Sequence, residues 1–355
     1  MSAPPPSVLV IRRRYLGDIV LLGSVFRNLR LHWPLARITA LVEEPYGDVL
    51  VLNPDVNGVL ALPRRTREWP GFLRCLRQAR FTHVFDFDNN ERTAVLARLS
   101  GAPFRATLWH EGRRPRLDRL YTLRQFDPPA IHERRPITEY YLSLLASAGV
   151  PIARREIRLV PREADLAFVR ELLGRLFGAV VPPNTRCLLV HPGSRSPCRL
   201  WPPERFGEVC RRVRTELGAR VVLITGPGEE AVRQEILAHA GTGQLVIDQH
   251  LSAPQLAALT AQFDLLLCHD SGPMHVAAAV GTRVVALLGS QNPVLFAPPG
   301  EGHLALQPPL PCIACVAPGE CVPGDSYRNY CVRNLPAGLV FTAVRDQLAR
   351  PAVRP

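Results

Sequence analysis

Short apolar runs alternate with helical segments along the chain of 355 residues, and this alternation limits the fold more than any other feature. The run from Phe263 to Cys268, for example, has the length of a buried strand and is followed by a small-residue segment that favours a helix. Alternating strands and helices are typical of parallel sheets covered by helices on both faces. We therefore predict an α/β fold of doubly wound parallel sheets.

In the first half of the chain, this alternation predicts most of one parallel sheet. The pattern predicts strands at 8–12, 37–42, 58–62 and 82–86, and helices at 18–32, 45–52, 66–79, 92–99 and 137–148. Residues 105–136 break the alternation, and we assign them to an irregular insert.

The second half repeats the pattern, which predicts a second domain of the same kind. Its strands are expected near 186–191, 220–225, 244–247, 263–268 and 283–288, and a final helix at 337–348. We place the domains at 1–165 and 185–335, the linker at 166–184, and the C-terminal helix within 336–355.

Charged residues follow the predicted strands at the points where the strands end. Asp18 follows the first strand, and Arg199, Glu229 and Asp270 follow strands of the second half. Ligands of open α/β sheets bind outside the carboxyl ends of the strands, so these side chains predict a common site. Taken singly, each has an alternative interpretation as a surface charge or, for Asp18, as a helix cap.

The segment from Asp270 to Gly281 predicts an anion site. Gly272 lets backbone approach a ligand, and the first amides of the helix that begins there are unpaired donors. Asp270 and His275 add a hydrogen-bond acceptor and a proton donor. The alternative is an ordinary strand-to-helix turn in which His275 is only packed.

Several motifs resemble those of glycosyltransferase family 9, the heptosyltransferases of lipopolysaccharide core synthesis, with the heptosyltransferase II type as the nearest. They are "VLVIRRRYLGDIV" from Val8, "EEPYGDVLVLNPDVNGVL", "HPGS…RLWPPERF" from His191 and "DSGPMHVAAAVGT" from Asp270. The resemblance runs from Val8 to about Leu348. It implies the GT-B architecture, in which two Rossmann-like domains face each other across a cleft and the last helix crosses back to the first domain.

The resemblance also implies roles for individual residues. Asp18 would be the general base of an inverting transfer that needs no cofactor, and Arg199 would stabilise the leaving diphosphate where the family usually has lysine. Glu229 would hold the ribose, and Leu200 departs from the polar residue usual at its position. The implied donor is ADP-heptose and the implied acceptor is a phosphorylated lipid A core. The donor-binding residues would be Ser194, Arg199, Glu229, Asp270, Ser271, Gly272, Pro273, Met274 and His275.

The charge of the chain is concentrated in its first half. All 43 basic residues are arginine, and residues 1–160 carry 25 of them against 15 acidic residues. Between 105 and 135 lie Arg105, Arg113, Arg114, Arg116, Arg119, Arg124, Arg134 and Arg135. This density predicts a basic surface for the acceptor or for an anionic membrane, although a solvated loop is the alternative. No nucleic-acid-binding motif is present, so nucleic acid is not an expected partner.

The N-terminal residues lack the basic start and apolar core of a secretory signal, and no apolar run approaches the roughly 20 residues of a membrane span. We therefore expect a cytoplasmic, monomeric protein that is peripheral to the inner face of the inner membrane.

Four of the nine cysteines, Cys312, Cys315, Cys321 and Cys331, lie within 20 residues. In a cytosolic protein this density favours a structural zinc site over disulfides. The spacing matches no standard zinc finger, so buried thiols or occasional disulfides remain alternatives.

Other functions are left open or disfavoured by the sequence. A different nucleotide-sugar or acceptor is compatible with the same motifs. A non-catalytic protein that binds a nucleotide-sugar or an anionic lipid is a second alternative, and the presence of Asp18 favours the enzyme. A dehydrogenase is disfavoured because neither half contains a GxGxxG fingerprint.

Overall fold

The chain forms two compact units, Met1–Val160 and Pro161–Pro355, each built around a six-stranded parallel sheet. The computed structural model describes residues 4–110, 114, 116–178, 185–195, 199–226, 228–289, 291–308 and 331–351. The two predicted Rossmann-like sheets are therefore present, one in each unit.

The first unit has the strand order β3-β2-β1-β4-β5-β6. Its elements in chain order are β1 (Ser7–Ile11), α1 (Leu16–Leu21), α2 (Gly23–His32), β2 (Arg37–Val42), a 3₁₀ turn (Tyr46–Leu52), β3 (Gly58–Ala61), α3 (Trp69–Gln78), β4 (His83–Asp86), α4 (Glu91–Leu99), β5 (Phe104–His110), β6 (Leu123–Asp127), α5 (Pro129–His132) and α6 (Ile137–Ser147).

The apolar side chains of β1 alternate between two buried layers, as expected for a strand covered on both faces. Leu9 and Ile11 join the core under α3 and α4, which supply Phe72 and Leu96. Helices α2 and α6 pack against each other and against strands of the sheet. All five residues of β1 except Ser7 are buried.

The second unit has the strand order β12-β11-β10-β7-β8-β9. Its elements are α7 (Glu163–Phe177), β7 (Cys187–His191), α8 (Pro203–Leu217), β8 (Arg220–Ile224), α9 (Glu230–Ala240), β9 (Leu245–Ile247), α10 (Ala253–Thr260), β10 (Leu265–His269), α11 (Gly272–Ala279), β11 (Arg283–Leu287), α12 (Pro293–Phe296), β12 (Leu304–Leu306) and α13 (Ala337–Ala349).

Helices cover both faces of this second sheet. One core layer contains Phe206 of α8 and Phe341 of α13, and the other contains Val169 of α7 and Met274 of α11. Helix α13 packs on α8 and lies against β10 and β11. Its buried residues therefore belong to the core of the second unit, and the expected crossing to the first domain stays a prediction.

The structure differs from the sequence prediction at the boundary between the units. Residues 166–177, assigned to a linker, lie in α7, which packs on α10 because Val169 and Leu172 form an apolar stripe. Residues 179–184 of that linker lie outside the described residues. The first unit ends at Val160 rather than at 165.

The predicted irregular insert at 105–136 is also wrong in part, because it contains most of β5 and all of β6. Strand β6 alternates half-buried and exposed positions at the edge of the sheet, which leaves little apolar signal. Strand β12, another edge strand, was also missed; it is apolar but only three residues long. Among the described residues, no helix has the length and apolarity required to cross a bilayer.

Candidate functional site

The predicted donor residues lie at the switch point of the second sheet. Strands β7 and β10 are neighbours there, and the chain runs outward from them in opposite directions, through β8 and β9 or through β11 and β12. The loops that follow β7 and β10 diverge at such a point and leave a crevice for a ligand. The loop after β8 lies beside them, since β8 pairs with β7.

Arg199 joins two of these loops. Its Nη1 atom lies 3.1 Å from Oδ2 of Asp270 and donates to the main-chain oxygen of Asp270 at 3.2 Å. The Asp270 side chain is buried, whereas the guanidinium of Arg199 is 31% exposed. Because both contacts use one nitrogen, the other nitrogens of this partly exposed side chain keep N–H donors for an anion.

Glu229 is fixed by the two glycine-containing loops beside it. Its Oε2 atom accepts the amide of Gly226 at 2.7 Å. A Cβ atom on Gly193 would lie 2.0 Å from Oε1 of Glu229, so only glycine allows the carboxylate to take this position. The motif glycine after β7 therefore creates the space for Glu229, which the resemblance assigned to the ribose.

The N-terminus of α11 offers fewer donors than the sequence predicted. Pro273 has no amide hydrogen, and the amide of Met274 donates to the oxygen of Ser271 at 3.1 Å. The backbone donors left for an anion are the amides of Ser271 and Gly272, at the positively polarised end of the helix. His275 and Met274 are buried in the first turn.

His269, the last residue of β10, holds the loop that carries Arg199. Its Nε2 atom accepts the main-chain amide of Trp201 at 2.8 Å, so the imidazole must be neutral at that nitrogen. Burial, together with the nearby His191, lowers the pKa of His269 to about 3. Trp201 in turn donates its indole N–H to the oxygen of Leu335 at 3.0 Å. These bonds tie the loop that carries Arg199 to β10 and to the start of α13.

Asp18 lies at the corresponding switch point of the first sheet, after β1 and beside β4. It is the third residue of α1, and its Oδ2 atom accepts the amide of Tyr15 at 3.2 Å, so it also caps the helix. Its Oδ1 atom accepts Arg12 at 2.5 Å and the hydroxyl of Tyr141 at 3.3 Å. The Asp18 side chain stays 25% exposed.

These bonds leave one oxygen of Asp18 with room for a further donor. A carboxylate oxygen accepts about two hydrogen bonds. Oδ1 accepts from Arg12 and Tyr141, whereas Oδ2 accepts only from Tyr15 among the described contacts. The second lone pair of Oδ2 is therefore the place where a hydroxyl could donate.

Of the two groups that hold Oδ1, Tyr141 is buried and Arg12 is half-buried, and both keep their protons. Burial lowers the pKa of Arg12, but Tyr141 and the carboxylates of Asp18 and Asp88 outweigh it and raise that pKa above its ordinary value. Burial raises the pKa of Tyr141, against the opposing effect of Arg12. Arg12 stays a cation and Tyr141 a neutral phenol, so both remain hydrogen-bond donors to Asp18.

Other carboxylates also lie at this edge, and two of them, Asp86 and Asp88, are enclosed. Asp86 is completely buried and accepts the hydroxyl of Tyr121 at 2.5 Å, and burial raises its pKa to about 6. Asp88 is buried and accepts the side chain of Arg13. Glu43 is 26% exposed and accepts Arg13 at 2.9 Å. Asp18 and Glu43 are thus similarly accessible, and the neighbouring Glu44 is more exposed than either.

The structure brings the predicted residues together in two groups, one in each unit. Arg199, Glu229, Asp270 and Ser271 lie on neighbouring loops of the second sheet, with Ser194 in the loop after β7. Asp18 stands at the edge of the first sheet. The sequence analysis did not identify Arg12 and Tyr141 as partners of Asp18. Arg12 directly follows β1, so the rule that functional groups gather at the carboxyl ends of parallel strands would have included it.

The arginines of the predicted basic segment are less available to an acceptor or a membrane than the composition suggests. Several of its arginines have carboxylate or carbonyl partners within the first unit. Arg114 and Arg124 share Asp118, Arg135 contacts Asp127, and Arg105 donates to the oxygen of Leu120. Arg113 lies outside the described residues.

The predicted zinc site lies outside the described residues. Cys312, Cys315 and Cys321 lie outside them, as does the side chain of Cys331. Within the described ranges no cluster of His, Cys, Asp and Glu side chains has the arrangement of a metal site.

A comparison with known families decides what kind of protein carries these two sites. Residues 70–321 match the profile of glycosyltransferase family 9 (heptosyltransferase). The chain belongs to glycosyltransferase family 9. It is accordingly a glycosyltransferase, and the predicted family and enzyme class are confirmed.

Relatives of this family-9 enzyme cover nearly its whole length. Lipopolysaccharide heptosyltransferase 2 of Escherichia coli K12 is 25% identical over 311 residues, which are 82% of this chain and 85% of the relative. The family-9 glycosyltransferase structure from Veillonella parvula has a TM-score of 0.82 at 23% identity and covers 98% of each chain.

A structure of the E. coli heptosyltransferase WaaC with ADP has a TM-score of 0.72 at 17% identity, covering 96% of this chain and 99% of the other. The likeness confirms the predicted GT-B fold class.

Proposed function

We propose that this family-9 enzyme transfers a heptose from ADP-heptose to the inner core of lipopolysaccharide, with inversion at the anomeric carbon. One relative named above is a lipopolysaccharide heptosyltransferase, which supports the acceptor, and the E. coli heptosyltransferase WaaC was solved with ADP, which supports the donor. The observation that carries the mechanism is the fixed, partly exposed carboxylate of Asp18 with an open lone pair on Oδ2.

In the proposed reaction, Asp18 acts as the general base. The acceptor hydroxyl gives its proton to Oδ2 of Asp18 as its oxygen forms a bond to the anomeric carbon. The bond from that carbon to the diphosphate oxygen breaks, and its electron pair leaves with ADP. Arg12 and Tyr141 hold Oδ1 and so fix the direction of Oδ2. Direct attack from the opposite face inverts the anomeric centre.

The second unit would bind the donor and stabilise the leaving group. Negative charge grows on the diphosphate as the bond breaks, and preorganised donors lower the energy of that state. The guanidinium of Arg199 and the amides of Ser271 and Gly272 supply such donors without a metal ion. The carboxylate of Glu229 would accept the ribose hydroxyls. The enzyme would act in the cytoplasm, at the membrane that holds the lipid-linked acceptor.

The test is a transfer assay with a matched pair of variants. The wild type should release ADP from ADP-heptose and add one heptose to a purified inner-core acceptor, as seen by mass spectrometry, also with excess EDTA. Asp18→Asn should lower kcat by ~10²–10⁴ because the base is lost. The control Glu43→Gln, a carboxylate of similar exposure at the same edge, should stay within about tenfold of wild type because Glu43 is already occupied by Arg13.

Each result has a defined meaning. Equal losses in Asp18→Asn and Glu43→Gln would assign the effect to the charge network and not to a base. Transfer from a UDP- or GDP-sugar instead of ADP-heptose would support the alternative of another donor in the same family. Binding of ADP without transfer to any acceptor would favour a non-catalytic nucleotide-sugar-binding protein.

A further inference from the structure

An apolar groove lies between α3 and α4 of the first unit and is separate from both site regions. Its volume is about 430 Å³. The lining is formed almost entirely by carbon atoms of Trp69, Leu73, Val95, Leu96, Leu99 and Leu117. Val95 and Leu99 are 41% and 37% exposed, so the groove is open at the surface.

Two exposed arginines lie one helical turn from residues that line this groove. Arg77 lies one helical turn after Leu73, and Arg98 lies one turn after Val95; both are exposed and have no carboxylate partner among the described residues. Arg92 stacks on the ring of Trp69 at 5.0 Å. The acidic residue of the lining, Glu91, contacts Arg116 at 3.3 Å. The rim therefore keeps a net positive charge.

The groove is connected to the edge of the sheet that carries Asp18. The guanidinium of Arg92 also lies 3.9 Å from Glu43, and Glu43 accepts Arg13 in the loop after β1. A surface that docks at the groove would therefore be held next to the predicted acceptor edge.

We propose that this groove docks the enzyme on an anionic phospholipid bilayer, with an acyl chain in the groove and lipid phosphates on Arg77 and Arg98. An apolar lining offers a peptide backbone no hydrogen-bond partners, and burying such groups unpaired is unfavourable. An acyl chain has no such groups, and the arginines complement an anionic headgroup. The proposal is independent of which sugar is transferred.

The first test measures binding to vesicles of phosphatidylcholine with phosphatidylglycerol, against phosphatidylcholine alone. Val95→Asn with Leu99→Asn should lower partitioning about tenfold by removing apolar contact with the chain. Arg77→Gln with Arg98→Gln should lower it about 25-fold at low salt, roughly fivefold per charge, and less at high salt. The control pair Leu35→Asn and Val51→Asn changes exposed apolar side chains elsewhere in the unit and should stay within about twofold.

The second test locates the acyl chain. Phospholipids with brominated chains should quench part of the tryptophan fluorescence, and Trp69→Phe should remove that part while vesicle binding persists. Unchanged quenching in Trp69→Phe, or wild-type binding by the Val95/Leu99 variant, would overturn the proposal. Thermal unfolding of each variant verifies that it is folded.

A transfer assay on a water-soluble, de-acylated acceptor separates this proposal from the proposed function. The Val95/Leu99 variant should keep the wild-type kcat there, because the groove would contact the membrane and not the reacting sugar. A reduced kcat on this acceptor would make the groove part of the acceptor site and overturn the docking proposal. If the wild type itself transfers nothing, the proposed reaction fails, while the vesicle measurements still decide on docking.

Discussion

The environment of Asp18 depends on side chains that contact it, and its position in the sequence reveals only some of them. The rule that ligands bind at the carboxyl ends of parallel strands identified Asp18, Arg199, Glu229 and Asp270 from the sequence alone. Tyr141 escaped that rule because it lies on α6, 123 residues from Asp18, and reaches it only through the packing of α6. Long-range contacts of this kind leave no local pattern in a sequence.

Tyr141→Phe tests whether this phenol positions Asp18. Loss of one hydrogen bond to Oδ1 frees the carboxylate to rotate, so we expect kcat to fall about tenfold with the KM for the donor unchanged. If Tyr141 acts through Asp18, the double variant with Asp18→Asn should be no slower than Asp18→Asn alone. Additive losses in the double variant would give Tyr141 a separate role.

The position of Glu229 explains why the motif after β7 contains a glycine. The glycine of "HPGS" was visible in the sequence, but its reason is the 2.0 Å approach that a Cβ would make to the carboxylate. That distance depends on how the loops after β7 and β8 meet, which a linear pattern does not specify.

At the scale of elements, the edge strands β3 and β9 were predicted from the sequence, whereas the edge strands β6 and β12 and the interior strand β5 were not. Strand β10 is buried at all five positions and gives a continuous apolar run. Strand β6 lies at the edge of its sheet, and its exposed positions include Arg124 and Phe126. Because β6 is paired on one side only and partly solvated, its sequence resembles that of a loop.

The end of strand β10 should make the stability of the protein depend on pH. Folded His269 stays neutral down to a pKa of about 3, whereas the unfolded chain takes up that proton near pH 6.5. Below pH 6.5 the unfolded state binds more protons, so the free energy of unfolding should fall by ~1.4 kcal/mol per pH unit from this group, until about pH 3.

His269→Gln is the variant that isolates this contribution. The glutamine oxygen can accept the amide of Trp201 but does not titrate, so its free energy of unfolding should fall less steeply between pH 6.5 and 4. Urea denaturation of both proteins across this range gives the two curves. Parallel curves would show that the bond from Trp201 to His269 does not hold the imidazole neutral.

On the scale of the whole molecule, each unit has its own core, and the proposed base and donor site lie in different units. ADP alone should therefore slow hydrogen exchange of the second unit around 193–195 and 271–276, because its phosphates would bind there. Exchange in the β1–α1 loop should change much less. Protection confined to residues 12–22 would place the nucleotide on the first unit and contradict the proposed division.

The position of α13 has a consequence for how the protein matures. Strands of the first unit are complete once residue 127 has been translated, and domains generally begin to fold on the ribosome in the order of their synthesis. The second unit cannot complete its fold before its last helix is made. Trp201 donates a hydrogen bond to Leu335, and Phe341 of α13 belongs to the same core layer as Trp201. A nascent chain that stalls before residue 337 would thus present a finished first unit beside an open apolar layer, a substrate for chaperones. The loop that carries Arg199 would take its final form only after residues 335–341 have been translated.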